Sequence, residues 1–467
     1  LKKLGKDKKN IKNRLIFVGG AFLLAAVMWL SVTVLEGKAP DIRVKMTTSH
    51  IGTSRDISGT IVDSGTGLRN IRMTIVKEGQ AHVLHEADFP SAGLLRGGTL
   101  HETRFSQRID PDKIHISDGE ALLRIEARDH AWRGWWHGNR GCFEKSIVID
   151  TCPPEIEVMS RAHNIQQGGS GLIIYRVSET GTRDGVHVGE HFFPGHAGCF
   201  DDDTVKVAFF ALGYQQGRDT KMYVTAEDQA GNSSKAGFYH YIKGQQFQQD
   251  LIRVSDNFLE RKLPEFKSND SGNPQPASIE KFLGINRQLR VENTRKLLAI
   301  SRDTDPALYW QGAFLRLPRA ATRAMFGDQR SYQYKGNIID HQIHLGIDLA
   351  SLRKSPVPAA NTGRVAFTGD VGIYGKTVVL DHGFGLFSLY SHLSRIHVQQ
   401  DEQVEKGAVI GRTGQTGMAG GDHLHYGMFV HDVFVNPLEW WDASWIKNNV
   451  TSKIEAVKAE LRKETSS

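Results

Sequence analysis

His344-Leu345-Gly346-Ile347-Asp348, Tyr390-Ser391-His392-Leu393 and His423-Leu424-His425-Tyr426-Gly427 are three short blocks in a glycine-rich, strand-like stretch from about residue 311 to 440. Their residue types are those of a metal centre. Zinc takes imidazole and carboxylate ligands at about 2 Å in a tetrahedron, and a catalytic site uses three protein groups and leaves the fourth position to water. Two neutral imidazoles and one carboxylate on a dication leave a net positive centre, which lowers the pKa of a bound water toward ~7. On a strand, His423 and His425 leave the same face roughly 6 to 7 Å apart along the chain, close enough to share a site. His344 and Asp348 lie roughly 13 Å apart on a straight strand, so the chain must turn between them, and Gly346 is the residue that permits it. Spacing alone leaves open whether His423, His425 or both are ligands.

Outward from these blocks, Gly372-Ile373-Tyr374-Gly375 and Asp381-His382-Gly383 lie between the first two, and Gly411-Arg412-Thr413-Gly414 precedes the last. In this order the set resembles the LytM/lysostaphin-type zinc metallopeptidases of peptidoglycan, the M23 family, over roughly a quarter of the chain. The resemblance implies an antiparallel β-rich peptidase domain with one zinc ion held by His344, Asp348 and His425. It also implies that His392 and His423 sit beside the metal water. One would act as general base or orient that water, and the other would stabilise the tetrahedral oxyanion and help protonate the leaving amine. The implied substrate is the peptide stem of peptidoglycan, cut at its cross-links. Asp422 departs from the pattern, since many members carry proline there; the ligands stay intact and only the turn before them is affected. A complete ligand set favours an enzyme over a non-catalytic LytM-like activator, or an envelope scaffold that binds peptidoglycan or other wall hydrolases.

The remaining histidines of this region, His341, His382, His397 and His431, read as structural, with His341 near enough in sequence to support His344 from behind. The run Gly411 to Gly421 lacks the lysine-serine ending of a phosphate-binding loop and reads as tight turns.

At the other end of the chain, Leu15 to Leu35 (LIFVGGAFLLAAVMWLSVTVL) is 21 residues without a charge. As a helix it covers the ~30 Å hydrocarbon core of a bilayer. Lys2, Lys3, Lys6, Lys8, Lys9, Lys12 and Arg14 against Asp7 account for the whole formal charge of +6. The rest of the chain is neutral overall, which excludes a nucleic-acid partner bound through a broad basic face. The basic flank places residues 1–14 in the cytoplasm and the chain from Gly37 onward in the periplasm or extracytoplasmic space, as a single-pass protein of the cytoplasmic membrane. A cleaved signal peptide is the rival reading; the long apolar run and the lack of a small-x-small site favour an uncleaved anchor.

Between these ends the chain is strand-like. Ile71, Met73 and Ile75 alternate with Arg72, Thr74 and Val76, the period of a strand with one buried face. Ala127-Arg128-Asp129-His130-Ala131 recurs as Ala226-Glu227-Asp228-Gln229-Ala230, at a spacing close to the length of an immunoglobulin-like sandwich. Thr225–Asn232 and Asp150-Thr151-Cys152-Pro153-Pro154 resemble the late turn and the opening of bacterial immunoglobulin-like domains. The expected organisation is mainly β: immunoglobulin-like sandwiches at 41–150 and 151–243, a helical linker at 244–310, the peptidase at 311–440 and an amphipathic helix at 441–467. The sandwiches would be spacers or surfaces for envelope protein partners. The patch Trp132-Arg133-Gly134-Trp135-Trp136-His137 reads as a packed loop ahead of a glycan-stacking site. The linker reads as two helices around a solvent loop at Ser268–Pro274, with no residue that signals chemistry. Val450, Ile454, Val457 and Leu461 form the apolar stripe of the terminal helix, a cap or a partner-binding element. Cys142, Cys152 and Cys199 form no CxxC pair. They leave either a Cys142–Cys152 disulfide with a spare thiol or three buried small hydrophobes.

Overall fold

The computed structural model describes residues 2–93, 96–266 and 278–466. The chain is mostly strand, 43% against 21% helix, as the sequence pattern requires. The Ser268–Pro274 loop lies outside the described residues.

The N-terminal helix runs Lys2–Val34 and takes in the basic tail as well as the apolar run. The boundary at residue 14 is therefore one of charge and not of backbone. None of its apolar window, Asn13–Val32, is buried by the rest of the protein. A helix that is apolar on all sides and finds no protein core is suited to a bilayer.

The folded chain forms two compact units, residues 1–153 with 227–233 and residues 154–226 with 234–467. In the first, Asp41–Lys45, Arg55–Val62 and Glu102–Ile109 make one antiparallel sheet, and His50–Ile51, Arg140–Ile149, Gly119–Asp129, Leu68–Lys77 and Gln80–Asp88 make the other. Ile57 and Ile61 from one sheet meet Ile71, Ile75, Leu123 and Ile125 from the other in a shared core. Alternation of apolar residues at period 2 thus produces a two-sheet sandwich.

The second unit contains another sandwich, with Ile156–Val158, Ser170–Val177 and Val205–Ala211 in one sheet and His191–Pro194, Arg183–Val188, Met222–Glu227 and Ser233–Gly237 in the other. Its core does not end at residue 243. Leu172, Phe209 and Val224 belong to one continuous cluster with Trp310, Phe314 and Trp440. Phe209 lies 6.0 Å from Trp310 and 5.9 Å from Trp440 between ring centroids. This sandwich is one body with the C-terminal region, where the repeat alone implied a free-standing domain.

The linker also differs from expectation. Gln249–Val254 is a strand, parallel to Gln329–Tyr334, which pairs antiparallel with Asn337–Ile343. Ile252 and Val254 alternate with exposed Leu251 and Arg253, so the period-2 signal was present but short. Helices follow at Asp256–Lys262, Ser278–Gly284 and Arg290–Ala299, the first capped by Ser255 Oγ accepting from Phe258 N.

The C-terminal region is built on one antiparallel sheet in the order Ala321–Ala324, Ile347–Ala350, Leu424–Val430, Leu386–Leu393, Lys376–Asp381, Gly363–Asp370, Gln403–Val404. The terminal segment is helical in pieces, ending in Ser452–Ser466. It is a cap: Val450 and Val457 are buried in the common core, with Ile454 and Leu461 packed against it, and Lys453 Nζ donates to Leu172 O. The cysteines fit neither expectation, since all three are free thiols and Cys142 and Cys152 are exposed. Their sulfurs face the carboxylates of Glu144 and Asp118 instead.

Candidate metal centre

Antiparallel pairing of Ile347–Ala350 with Leu424–Val430 puts Asp348 directly opposite His425, and pairing of the latter strand with Leu386–Leu393 puts Ser391 opposite His425, one residue before His392. Directly paired residues leave the same face of a sheet, so register alone sets the carboxylate beside the imidazole. His344 arrives from the turn before Ile347, its backbone held by His344 N donating to Asp328 O and Gly327 N donating to His344 O. Its Nδ1 donates to Met325 O at 2.9 Å, which fixes the tautomer and leaves the Nε2 lone pair for the cluster.

His344 Nε2, Asp348 Oδ1 and His425 Nδ1 form a triangle with edges of 3.0, 3.0 and 3.0 Å. Ligand atoms on a tetrahedral zinc at ~2 Å stand about 3.3 Å apart, so this triangle approximates one face of such a tetrahedron. The donor set, two imidazoles and a carboxylate, is the one zinc takes, and all three residues are buried. The second oxygen of Asp348 accepts from Arg330 Nη2 at 2.8 Å, which holds Oδ1 toward the histidines. Burial works against the Asp348 charge, but the His344, His423 and His425 rings outweigh it and keep the carboxyl well below its usual range.

Gly346 has a different reason from the one expected. It is absent from the positive-φ glycines, so the turn needs no left-handed residue there. A Cβ on Gly346 would lie 2.6 Å from His425 Cε1 and 2.7 Å from His425 Nε2. Glycine is required because the imidazole fills the space. Among the described residues the same buried Nε2 has no hydrogen-bond partner, consistent with an imidazole whose working nitrogen is Nδ1.

His392 and His423 stand beside the triangle, 4.9 Å apart between ring centroids, with His392 5.8 Å from the His425 ring. Each donates its Nδ1 hydrogen to a backbone carbonyl, Thr416 O and Gly421 O, both at 2.9 Å, which leaves Nε2 as the available atom. His423 Nε2 is 3.6 Å from Asp348 Oδ1. Burial and then the neighbouring His423 and His425 rings hold His392 well below the usual imidazole range. At His423 burial also acts downward, but Asp348 outweighs it and leaves that ring raised. His392 adopts φ +62°, a left-handed conformation that non-glycine residues keep only where the surroundings enforce it.

These five residues line a cavity of about 330 Å³. The segment expected to carry no chemistry supplies much of its wall through Ile252, Phe258, Phe282, Arg290 and Thr294. Tyr374, from the glycine-bounded block Gly372–Gly375, also joins the site: its ring lies 5.6 Å from the His425 ring between centroids and its hydroxyl 3.3 Å from Thr294 Oγ1. Arg330 gave no sequence signal at all. His341 does not support His344, because it sits in a different sheet opposite Ser331, whose Oγ is 3.1 Å from its Nδ1. His382 is fully buried between Thr362 O and Ser388 Oγ. Asp422 closes the turn before the last block by accepting from Thr413 Oγ1 at 2.6 Å and Lys354 N at 3.2 Å.

Residues 342–437, which contain all five, match the model of peptidase family M23. The chain carries an M23 peptidase domain. Over 97 residues this M23 domain is 40% identical to the DD-carboxypeptidase/endopeptidase Mpg of Neisseria meningitidis serogroup B, covering 21% of this chain and 22% of that protein. Over 96 residues it is 36% identical to the peptidoglycan DD-endopeptidase ShyA of Vibrio cholerae, again 21% and 22%. The chain thus spans about a fifth of the length of these curated relatives. A crystal structure of an M23 peptidase from Pseudomonas aeruginosa is similar with a TM-score of 0.38 and 20% identity, over 58% of this chain and 93% of that one.

Proposed function

We propose that the protein is a zinc endopeptidase, anchored in the cytoplasmic membrane, that hydrolyses the peptide cross-links of peptidoglycan. The supporting observation is the 3.0 Å triangle of His344, Asp348 and His425 with two further imidazoles on the same cavity wall. Relatives of the M23 domain named as peptidoglycan endopeptidases point to the substrate. A zinc ion held by His344, Asp348 and His425 would supply Lewis-acid polarisation of the scissile carbonyl and would acidify a water. His344 and His425 give it neutral donors, Asp348 gives it charge, and Arg330 keeps Asp348 turned toward the site. His392 and His423, tethered through Nδ1, offer their Nε2 atoms. One takes the proton of the attacking water. The other would act as the imidazolium, donating from a protonated Nε2 to the developing oxyanion and passing that proton to the leaving amine, after which the two rings re-equilibrate with solvent. No side chain in the set is placed to form a covalent intermediate. The Lys2–Val34 helix would hold the chain in the membrane with the sandwiches and the peptidase outside it.

The test is digestion of purified sacculi by the zinc-loaded full-length chain in detergent, with mass analysis of the released fragments. New muropeptides carrying freed stem termini are expected from the wild type and none from His425→Ala. A zinc-loaded wild type that binds sacculi and releases nothing new contradicts the enzyme reading and leaves an activator or scaffold.

A further inference from the structure

The loop Trp132 to His137 takes no part in the metal centre. It joins the strands Gly119–Asp129 and Arg140–Ile149 of the first sandwich. It is not the packed loop its composition implied. Trp135 is 91% exposed and Trp136 52%. An indole is a large apolar surface with one polar N–H; Trp135 presents nearly all of it to water, and Trp136, whose ring packs on Trp132 at 4.4 Å between centroids, presents its outer face. The backbone enforces this display: Gly134, Trp135 and Trp136 are three successive residues at φ +61°, +56° and +72°, a conformation that bulky residues rarely adopt.

Location decides what the display is for. Trp132 N donates to Val34 O at 2.9 Å, and Val34 is the last residue of the apolar helix. At the far end of the loop, Asn139 Nδ2 donates to Glu36 O at 3.1 Å. The Glu36 carboxylate in turn accepts from Thr66 N at 2.8 Å. The loop is therefore fastened at both ends to the residues by which the chain leaves the helix, and Val34 is about 3 Å of helical rise beyond Val32. In a helix that crosses a bilayer those residues stand at headgroup depth, the layer in which Trp is enriched because its ring is amphipathic. Arg133 is exposed in the same loop, and Arg69 reaches it through Nη1 to Trp136 O at 2.6 Å, so cations accompany the rings toward lipid phosphates.

We propose that the Trp132–His137 loop is a second membrane contact: Trp135 and Trp136 insert their rings into the headgroup layer beside the exit of the Lys2–Val34 helix and pin the first sandwich to the bilayer surface. This rests on the anchoring reading above, and the test separates the two. The full-length chain is reconstituted into phosphatidylethanolamine/phosphatidylglycerol vesicles whose acyl chains carry bromine near the carbonyl end, and tryptophan fluorescence is recorded. In W29F the bromine still quenches, through the loop, and in W29F/W135F/W136F most of that quenching is lost. W135F/W136F alone remains quenched through Trp29, which reports the span itself. Quenching of Trp29 with none attributable to Trp135 and Trp136 overturns the loop contact and leaves the span standing. Absence of quenching at every tryptophan overturns the anchor and the loop contact together. A loop that is unquenched in vesicles while W135A/W136A loses sacculus co-sedimentation belongs to a glycan, and that result also overturns the proposal.

Discussion

The two sandwiches share one device and differ in what surrounds it. In the first, buried Asp129 accepts from Ala131 N, Asn139 N and Asn139 Nδ2, and the same amide reaches Glu36 O. In the second copy, which follows the strand Met222–Glu227 but lies in the segment 227–233 that belongs to the first unit, buried Asp228 accepts from Asn232 N and Nδ2, and that amide reaches Asp150 O. The repeated Ala-x-Asp-x-Ala thus supplies a buried aspartate that an asparagine caps in both copies, Asn139 for Asp129 and Asn232 for Asp228, across loops of different length. Around the first copy lies a core of its own, while the strands of the second share their core with the peptidase sheet. A repeat in sequence reports the local turn. It does not report where a cooperative unit ends.

The largest expected effect follows from that asymmetry. Phe209→Ala empties a site between Trp310 and Trp440 and should cost about 3 to 5 kcal/mol in the unit that carries the metal centre, lowering its melting transition and cleavage activity together. Leu123→Ala, fully buried in the first sandwich, should cost about 2 to 5 kcal/mol there and leave cleavage of soluble muropeptides unchanged. Calorimetry paired with a cleavage assay reads both, and a Leu123→Ala that loses activity breaks the distinction.

A smaller effect tests the joint within the second unit. Glu439 Oε2 accepts from Ser170 N at 2.8 Å and Ser170 Oγ at 3.1 Å, yet burial raises its carboxyl to about 7 from an ordinary 4.5. The folded state binds this proton more tightly than the unfolded chain, so the contribution to stability is full below pH ~4.5 and is lost as pH rises to about 7. Glu439→Gln keeps an acceptor and removes the charge. It should flatten that slope and add up to about 3 kcal/mol above pH 7, with the melting of the first sandwich unchanged. Thermal melts across pH 4 to 8 check it, and an unaltered slope contradicts the burial argument.

Smaller again is the loss of Arg330. Arg330→Met frees the second oxygen of Asp348 and should weaken zinc binding by roughly 10- to 100-fold in a chelator competition, with Arg330→Lys recovering part of it. No change in affinity would show that Asp348 is held by the histidines alone.

What the sequence made legible follows from the range of the forces involved. His423 and His425 stand out because the strand period puts them on one face, while the choice of His344, Asp348 and His425 as the ligand set came from the resemblance of the ordered blocks, not from spacing. The N-terminal apolar helix stands out because apolar length is a property of one segment. Arg330 was not legible, since its role exists only once Gln329–Tyr334 is paired on both sides and Asp348 has been brought round by another sheet. The cavity wall from Ile252, Phe258 and Phe282 is of the same kind, made by packing between elements far apart in the chain. Gly346 was identified for its backbone freedom, while the structure uses its missing side chain to admit the His425 ring.

The most direct test of the central claim is zinc-edge X-ray absorption on the full-length chain loaded with one equivalent of metal. A first shell of nitrogen and oxygen only, at about 2.0 to 2.2 Å, is expected, with outer-shell scattering from two imidazoles that falls to one in His344→Ala. Sulfur scattering near 2.3 Å from the free cysteines, or a spectrum that His344→Ala and His425→Ala leave unchanged, would contradict it.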